Sequence, residues 1–386
     1  MTTGLTDTQR DNQAAFRAFA DSHVRPFADT FDRAEQLPRE LIAQLAATNW
    51  LAAGFREADG GLDPISFGLL NEEIGAACSS VRSLLTVQAM VGSALGRWAT
   101  REQQDQWLPR LRDGTAIGSF CLTEPNVGSD GKSVETAARR RGTEYVLDGH
   151  KKWISFGQIA DVLLVIARVD DRPTAFLVDR QSPGIDIVPI RGLLGVRATM
   201  LAEVMFTECR VPADAVVGRV GLGFSHVATS ALDVGRYSIA WGCVGIAQAA
   251  LDAALQYAGS RRQFGVVLGE HQLVRRLLTR AIADVRAARL LCLNAARYRQ
   301  EGDPAGVLET LIAKYFASNV ASRIASDAVQ IHGAVGVSRE AVVERLMRDA
   351  KIMEIVEGST QIQELLISRD VLQTAMAEAT VEQAVG

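Results

Sequence analysis

The spacing of hydrophobic positions changes twice along the chain. Over residues 11–114 apolar residues recur three or four positions apart, which predicts helices. Over residues 117–218 the pattern becomes short β-branched runs bounded by turn signals, such as VLLVIARV at 162–169, and it predicts strands. After Gly221 the helical spacing returns and persists almost to the end, as in the stripe of Leu308, Ile312, Phe316, Val320 and Ile324.

This order of elements predicts a mainly α protein with a central β domain. We place an N-terminal helical domain at 1–117, a middle β domain at 118–222 and a C-terminal helical bundle at 223–386. A parallel α/β sheet is not expected, because that fold needs strands that alternate with helices along the chain.

The composition narrows the function classes. The 386 residues are 48% hydrophobic and 22% charged, as in an ordinary globular protein. A net charge of −4 provides no positive surface for a phosphate backbone, so a nucleic acid partner is not expected. The five cysteines form no CxxC pair and have no histidine pair nearby, so neither a disulfide framework nor a metal site is indicated.

The N-terminal segment and the hydropathy of the chain indicate where in the cell the protein is expected. The first residues, MTTGLTDTQRDNQ, lack the basic and apolar regions of a signal peptide. No uninterrupted apolar run is long enough to span a bilayer. We therefore expect a cytoplasmic protein without a membrane partner.

Two segments of the β region contain groups suited to binding a cofactor. SFCLTEPNVGSD (119–130) runs from a strand into a turn rich in hydroxyls and exposed amides, which suits a polar planar ligand or a phosphate. DGHKKWISFG (148–157) contains Trp153 and Ser155, which could contact a flat cofactor. Taken singly, a hairpin loop and a half-buried tryptophan explain these segments better.

Two later segments are similarly open to interpretation. In RRQFGVVLGEHQ (261–272) the arginine doublet could bind a pyrophosphate, or it could be a solvated helix end. In the last segment, from Gln330 onward, Gly333 is explained by a helix C-cap. That segment ends in MEIVEGSTQIQ, where Glu357 lies between an apolar run and a glycine turn, and where Thr360 and Gln363 predict a capping box.

The order and spacing of these segments together resemble the acyl-CoA dehydrogenase family. Its members carry a TEPxxGSD segment, a GxKxWIxNG segment, an RxxFG segment, a QxxGGxGY segment and a final EGT, and the match runs from about Phe16 to Leu372. The resemblance implies an N-terminal helical domain, a β-barrel-like middle domain and a C-terminal four-helix bundle, in agreement with the hydrophobic pattern.

The resemblance also implies an FAD site between the middle domain and the bundle. Trp153 and Ile154 would lie near the flavin ring, and Ser155 would bond its N5. Pyrophosphate and adenosine contacts would cross a subunit interface, which implies a homodimer or homotetramer. The other implied flavin contacts are Phe120, Leu122, Thr123, Gly128, Ser129, Arg261, Phe264, Gln272, Gln330, Gly333, Ala334, Ser359 and Gln361.

Glu357 occupies the family position of the base that removes a proton from an acyl thioester. Its apolar neighbours would desolvate the carboxylate, raise its pKa and strengthen it as a base. Some family members place the base immediately before an arginine early in the bundle, where this chain has Gly235. Glu354 is the competing carboxylate, and we expect it to be solvated or salt-bridged. The substrate contacts implied are Arg82, Ser129, Asp233, Arg236 and Gly358.

The sequence departs from the family pattern near the flavin and the thioester. Phe156 replaces an asparagine, Ala334 a glycine, Val337 a tyrosine, and Ser359 the threonine of EGT. These changes argue against a plain fatty acyl-CoA substrate.

Three stretches are similar to a narrower branch that oxidises hydroxyacyl units on a carrier protein for polyketide extender units: 78–90, 235–246 and 353–359. We therefore favour a carrier-bound (hydroxy)acyl substrate. A catabolic short- or branched-chain acyl-CoA dehydrogenase is the alternative, and a non-catalytic binding module is the alternative of another class. The electron acceptor would be electron-transfer flavoprotein or oxygen.

Overall fold

Helices from both ends of the chain share one hydrophobic core in the computed structural model, which describes residues 4–385. The N-terminal part contains α1 (Asp7–Phe19), α2 (Ala28–Ala34), α3 (Arg39–Ala47), α4 (Pro64–Ala77), α5 (Ser79–Trp98) and α6 (Arg101–Arg112). The C-terminal part contains α7 (Thr229–Ser260), α8 (Gln272–Gln300), α9 (Gly306–His332), α10 (Val342–Met353) and α11 (Thr360–Val385). The predicted order of helices, β segment and helices is confirmed, while the domain limits stay predictions.

Helix α7 lies at the centre of this helical core. Helices α4 and α5 from the N-terminal part and α8, α9 and α10 from the C-terminal part all pack against it. The helical region from Gly223 to Ser260 has a window with a mean hydropathy of 1.4, enough by length and composition to cross a membrane. This test averages over the window and tolerates charged residues, so it differs from the search of the sequence for an uninterrupted apolar run. Since 72% of the window is buried, packing inside the protein explains its apolar character.

The middle of the chain forms one sheet of eight strands. They are β1 (Gly118–Cys121), β2 (Ala137–Arg141), β3 (Glu144–Ile154), β4 (Val162–Val169), β5 (Arg172–Asp179), β6 (Ile185–Pro189), β7 (Ala202–Pro212) and β8 (Val216–Val217). The order is β6-β7-β3-β2-β4-β5-β8, with β1 parallel to β4. Within the described residues β6 and β8 do not pair, so the predicted barrel-like domain is an open sheet rather than a closed barrel.

Strand β4 shows why its sequence is continuously apolar. Val162, Leu164 and Ile166 face a core shared with α5, α6 and the start of α7. Leu163 and Val165 face a second core inside the sheet domain. Because successive side chains of a strand point to opposite faces, burial of both faces requires an apolar residue at every position.

A buried ion pair fixes the loop that follows β1. The Lys151 Nζ lies 2.6 Å from the Glu124 carboxylate, and both side chains are almost fully buried. Lys151 also donates to the Leu122 carbonyl at 2.9 Å, and Glu124 accepts from the amide and hydroxyl of Thr136. The pair therefore joins β3 to the 122–136 loop.

Replacing Lys151 by Met should destabilise the protein strongly. The substitution leaves the Glu124 carboxylate buried without its cation, which costs about 3–5 kcal/mol. Urea unfolding should show this loss, and adding Glu124→Gln should recover part of it. Lys152→Met, at the partly exposed neighbouring lysine, is the matched control. Equal losses for both lysine variants would contradict the assignment.

Candidate active site

Glu357 lies in a tight turn between α10 and α11. Its backbone has a φ of 56°, and Gly358 follows with a φ of 94°. A left-handed conformation is unfavourable for a residue with a Cβ atom, so this turn must be stabilised by its surroundings. The turn directs the Glu357 side chain toward α7.

Three side chains hold the carbonyl groups of this turn. Arg236 Nε donates to the Glu357 carbonyl at 3.0 Å, and Lys314 Nζ donates to the Gly358 carbonyl at 2.8 Å. Gln363 Nε2 donates to both, at 3.2 and 3.1 Å. Groups from α7, α9 and α11 thus fix the turn from three directions.

Glu357 is partly buried, and its carboxyl lies beside Gly235 and near three cations. Burial raises its pKa to about 7, although the positive charges of Arg236, Lys314 and Arg82 oppose the shift. A carboxylate with a pKa near neutrality is a stronger base than an exposed one and is still ionised in a useful fraction. The rise in pKa has the predicted direction, but Ile355 does not supply the predicted burial, because its side chain is 57% exposed.

Gly235 on α7 touches the Glu357 side chain. A Cβ atom built on Gly235 would lie 3.0 Å from Glu357 Cδ and 2.9 Å from Met90 Sδ. The alternative base position noted in the sequence therefore adjoins the carboxyl of Glu357. A carboxylate at position 235 or at position 357 would reach the same part of the site. Glycine at position 235 leaves room for the Glu357 side chain.

Arg82 on α5 is buried without a carboxylate partner. Its side chain is 1% exposed, and within the described residues it forms no ion pair. Nη1 donates to the Thr86 hydroxyl at 2.8 Å and Nη2 to the Ser83 hydroxyl at 3.1 Å, while Nε has no partner. The hydrogen bonds of this buried guanidinium are thus made only to neutral groups, while its charge acts over a longer distance on the carboxyls of Glu357 and Asp349.

The approach of α7 makes this burial of Arg82 possible. A Cβ atom on Gly242 would lie 2.3 Å from Arg82 Cδ, so only glycine fits there. Ser238, one turn earlier on α7, bonds the Thr86 hydroxyl at 2.6 Å. Hydroxyl groups and an arginine thus line the contact between α5 and α7 beyond Glu357.

The residues predicted to contact the flavin ring come together at one edge of the sheet. The Thr123 carbonyl accepts from the Lys152 amide at 2.9 Å, and the Ser119 hydroxyl donates to the Ser155 carbonyl at 2.8 Å. The 119–130 and 148–157 segments are therefore adjacent. Leu122 belongs to the same hydrophobic cluster as Met90, which links this edge to Glu357.

This edge has groups that fit a flat polar ring. The Trp153 side chain is 49% exposed, and the hydroxyls of Thr123, Ser129 and Ser155 form no hydrogen bond within the described residues. A Cβ atom on Gly128 would meet nothing within 4 Å. Exposed aromatic surface and free hydroxyls are the groups that an isoalloxazine ring requires. Phe120 is partly buried and Ile154 is buried beside them.

Backbone strain marks the same edge. Trp153 and Phe156 both have positive φ, of 62° and 57°. The family's asparagine at the second of these positions suits a left-handed residue, whereas this chain places a fully buried phenylalanine there. Strained residues on both sides of Ser155 are the kind of backbone feature found at functional sites.

A second set of predicted flavin residues lies far from Glu357 in the same chain. Arg261 follows the end of α7, 25 residues after Arg236, which is about 37 Å along a helix axis. The hairpin of β9 (Arg262–Gln263) and β10 (Val266–Val267) carries Phe264, which is 95% exposed. Four further predicted residues are exposed at the ends of α8 and α9: Gln272, Gln330, Gly333 and Ala334. The C-terminal end of α9 lies close to that of α7, because the rings of Tyr257 and His332 stack with centroids 4.3 Å apart.

The remaining predicted residues have mixed surroundings. Asp233 forms an ion pair with Arg299 rather than facing an open site. Glu354 pairs with Lys351, as expected for a salt-bridged carboxylate. Gly333 caps α9 with a φ of 61°, and this C-cap is confirmed. Gln361 is exposed at the start of α11.

The predicted capping box at the start of α11 is wrong. The Ser359 hydroxyl accepts from the Ile362 amide at 3.4 Å, so Ser359 takes the capping position. Gln363 instead bonds the carbonyls of Glu357 and Gly358. Sequence reasoning also missed Lys314, which lies off the predicted stripe of Leu308, Ile312 and Phe316, on a buried face of α9.

Comparison with known proteins identifies this arrangement. The chain matches the signatures "Acyl-CoA dehydrogenase, N-terminal domain" over residues 6–115, "middle domain" over 119–209 and "C-terminal domain" over 221–372. It is 37% identical to the probable acyl-CoA dehydrogenase YngJ of Bacillus subtilis, over 95% of this chain and 99% of that protein. Fold and site thus define a flavin-dependent oxidoreductase. The chain belongs to the acyl-CoA dehydrogenase family.

Solved structures agree with this assignment. Butyryl-CoA dehydrogenase from Megasphaera elsdenii superposes with a TM-score of 0.92 at 33% identity, covering 96% of this chain and 100% of that one. A glutaryl-CoA dehydrogenase from Mycobacterium smegmatis, in complex with FADH2, gives 0.90 at 29% identity with 95% of both chains covered. FkbI, described as serving biosynthesis of a methoxymalonyl extender unit of the polyketide Fk520, gives 0.84 at 31%, covering 94% and 99%.

FAD is the cofactor of this family, and the sheet edge around Trp153 and Ser155 fits it. When bound, FAD supplies a two-electron acceptor for hydride. The protein's own residues would orient the ring through the Ser155 and Thr123 hydroxyls and the Trp153 indole. Glu357 would approach the substrate from the side of α7.

The raised pKa of Glu357 predicts a pH-dependent cost in stability. The pKa rises from its ordinary value of 4.5 to about 7 on folding. The folded state therefore holds a proton that the unfolded chain has lost, and stability falls as pH rises between these values. The Tm gain of Glu357→Gln over the wild type should grow from pH 5 to pH 8 by about 2 °C or more.

Glu354→Gln is the matched control, because it removes a carboxyl three residues earlier that is paired with Lys351. The Tm difference between Glu354→Gln and the wild type should not grow from pH 5 to pH 8. A Glu357→Gln difference that is independent of pH would show that the carboxyl titrates normally.

Proposed function

We propose that the protein dehydrogenates an acyl thioester, with Glu357 as the base and FAD as the hydride acceptor. The supporting observation is a carboxyl with a pKa of about 7, fixed in a strained turn. Glu357 takes a proton from Cα while hydride leaves Cβ, so the thioester loses two electrons and gains a double bond. For a hydroxyl-bearing carbon, the base takes the hydroxyl proton while hydride leaves that carbon for FAD, and a carbonyl forms.

The catalytic turn supports this chemistry with backbone groups. The amides of Glu357 and Gly358 donate to no acceptor within the described residues. A thioester oxygen that becomes more negative as the α-proton leaves needs such donors. The Glu357 amide would therefore stabilise the enolate while its side chain removes the proton.

Arg82 supports a polar acyl group as the substrate. Its buried guanidinium has no ion-pair partner among the described residues, and three hydroxyl groups, of Thr86, Ser238 and Ser83, accept from it. A plain hydrocarbon chain would leave this charge unpaired, whereas a carboxylate or hydroxyl on the acyl group would bond it. Glutaryl-CoA, the substrate named for one similar enzyme, ends in such a carboxylate.

The favoured substrate is a carrier-protein-bound (hydroxy)acyl unit of secondary metabolism. The likeness to FkbI supports this version. The likeness to butyryl-CoA dehydrogenase supports the alternative, a catabolic dehydrogenase that forms a 2,3-enoyl-CoA. We further propose electron-transfer flavoprotein or oxygen as the electron acceptor.

A homo-oligomer is part of the proposal. Arg261, Phe264 and Gln272 are exposed. Arg261 lies about 37 Å along the axis of α7 from Arg236, which bonds the Glu357 carbonyl, and this separation supports the view that one FAD does not contact both sets in one chain. The second set of residues would then bind the flavin held by a neighbouring subunit, in a homodimer or homotetramer.

Glu357→Gln should retain FAD but abolish its reduction by substrate. The amide keeps the size of the side chain and cannot accept the α-proton. Anaerobic bleaching of the flavin absorbance is the measurement, with Glu354→Gln as the control that still bleaches. Normal bleaching in Glu357→Gln would overturn the base assignment, and a wild type that cannot be reconstituted with FAD would favour a binding module.

Substrate class can be tested with a panel of thioesters. Polar acyl and hydroxyacyl groups, on CoA and on a carrier protein, should bleach the wild-type flavin faster than butyryl thioesters. Arg82→Met should reduce the advantage of the polar groups by tenfold or more, since a bond to a charged group is worth about 1.5–3 kcal/mol. A wild type that prefers butyryl-CoA would favour the catabolic alternative.

A further inference from the structure

Lys314 is a buried lysine directly behind the catalytic turn. It lies on α9, its side chain is fully buried, and its Nζ donates to the Gly358 carbonyl at 2.8 Å. No carboxylate lies within ion-pair distance of it among the described residues. This carbonyl is its single side-chain hydrogen bond in that part of the chain.

The other fully buried lysine shows what is unusual here. Lys151 is held by the Glu124 carboxylate at 2.6 Å, so its charge is compensated. Lys314 has no such partner, and a buried ammonium without a counterion disfavours folding more than an apolar side chain of the same shape. Packing alone therefore does not explain a lysine at this position.

The charges around Lys314 connect it to Glu357. The charged and titratable groups that act on it are Cys243 and Arg236 from α7, and Glu354 and Glu357 from the turn region. Glu357 in turn faces Arg236, Lys314 and Arg82. Lys314 is the one of these three cations that bonds the carbonyl immediately after the base.

We infer that Lys314 is a positioning residue for the base: it holds the Gly358 carbonyl so that the strained turn directs Glu357, and its charge favours the ionised carboxylate. This inference rests on the proposed role of Glu357. Burial lowers the pKa of Lys314 to about 8, so the charge that supports Glu357 is lost as pH rises through that value. The group remains a hydrogen-bond donor when neutral.

The test uses the FAD-loaded protein and a thioester that bleaches the wild type. Lys314→Met should lower the anaerobic bleaching rate at pH 7 at least tenfold and move the pH midpoint of that rate upward by about one unit. Lys314→Arg, which keeps the charge, should keep the wild-type midpoint. Lys351→Met, at an exposed lysine of α10, is the control that should change neither.

A shift in the pH midpoint of the bleaching rate distinguishes a residue that positions Glu357 from one that only stabilises the fold. An unchanged midpoint in Lys314→Met, whatever its rate, would overturn the inference, as would an equal shift in Lys351→Met. Hydrogen exchange of the 354–363 peptide should also quicken in Lys314→Met, because the turn loses one of its donors. Slow exchange equal to that of the wild type would contradict the proposed hold on Gly358.

A readout without substrate separates this inference from the proposed function. The Tm difference between the wild type and Glu357→Gln changes with pH around the pKa of Glu357. When both proteins also carry Lys314→Met, this change in the Tm difference should occur at higher pH. If no thioester bleaches the wild type but this movement occurs, the proposed reaction fails while the role of Lys314 stands.

Discussion

The site depends on a backbone turn that would not be stable by itself. Glu357 and Gly358 have consecutive positive φ values, and their carbonyls are held by Arg236, Lys314 and Gln363. These donors come from α7, α9 and α11, so the proposed base is positioned only when the C-terminal helices have packed. Two of these donors, Arg236 and Lys314, also bring positive charge to a carboxyl whose pKa is raised by burial.

The balance between burial and charge decides the properties of the base. Burial raises the pKa of Glu357, and three cations limit the rise to a value of about 7. One of them, Arg82, is itself without a carboxylate, which leaves a positive charge that a polar substrate could satisfy. The cost in folding stability of these buried charges is the expected companion of a reactive site.

The sequence predicted the fold well because its hydrophobic periods were clear. VLLVIARV at 162–169 coincides with β4, whose two faces are both buried. The resemblance identified Glu357, but the spacing could not reveal its donors, since Lys314 is 43 residues away and Gln363 looked like a helix cap. Contacts of that kind depend on how α9 and α11 pack, which local patterns do not contain.

The proposed role of Glu357 is best tested by the pH dependence of anaerobic flavin bleaching by a thioester substrate. The rate constant should rise with pH, with a midpoint of about 7, and reach a plateau once Glu357 is ionised. A rate constant that stays level from well below to well above that midpoint, or a profile that is unchanged in Glu357→Gln, would contradict it.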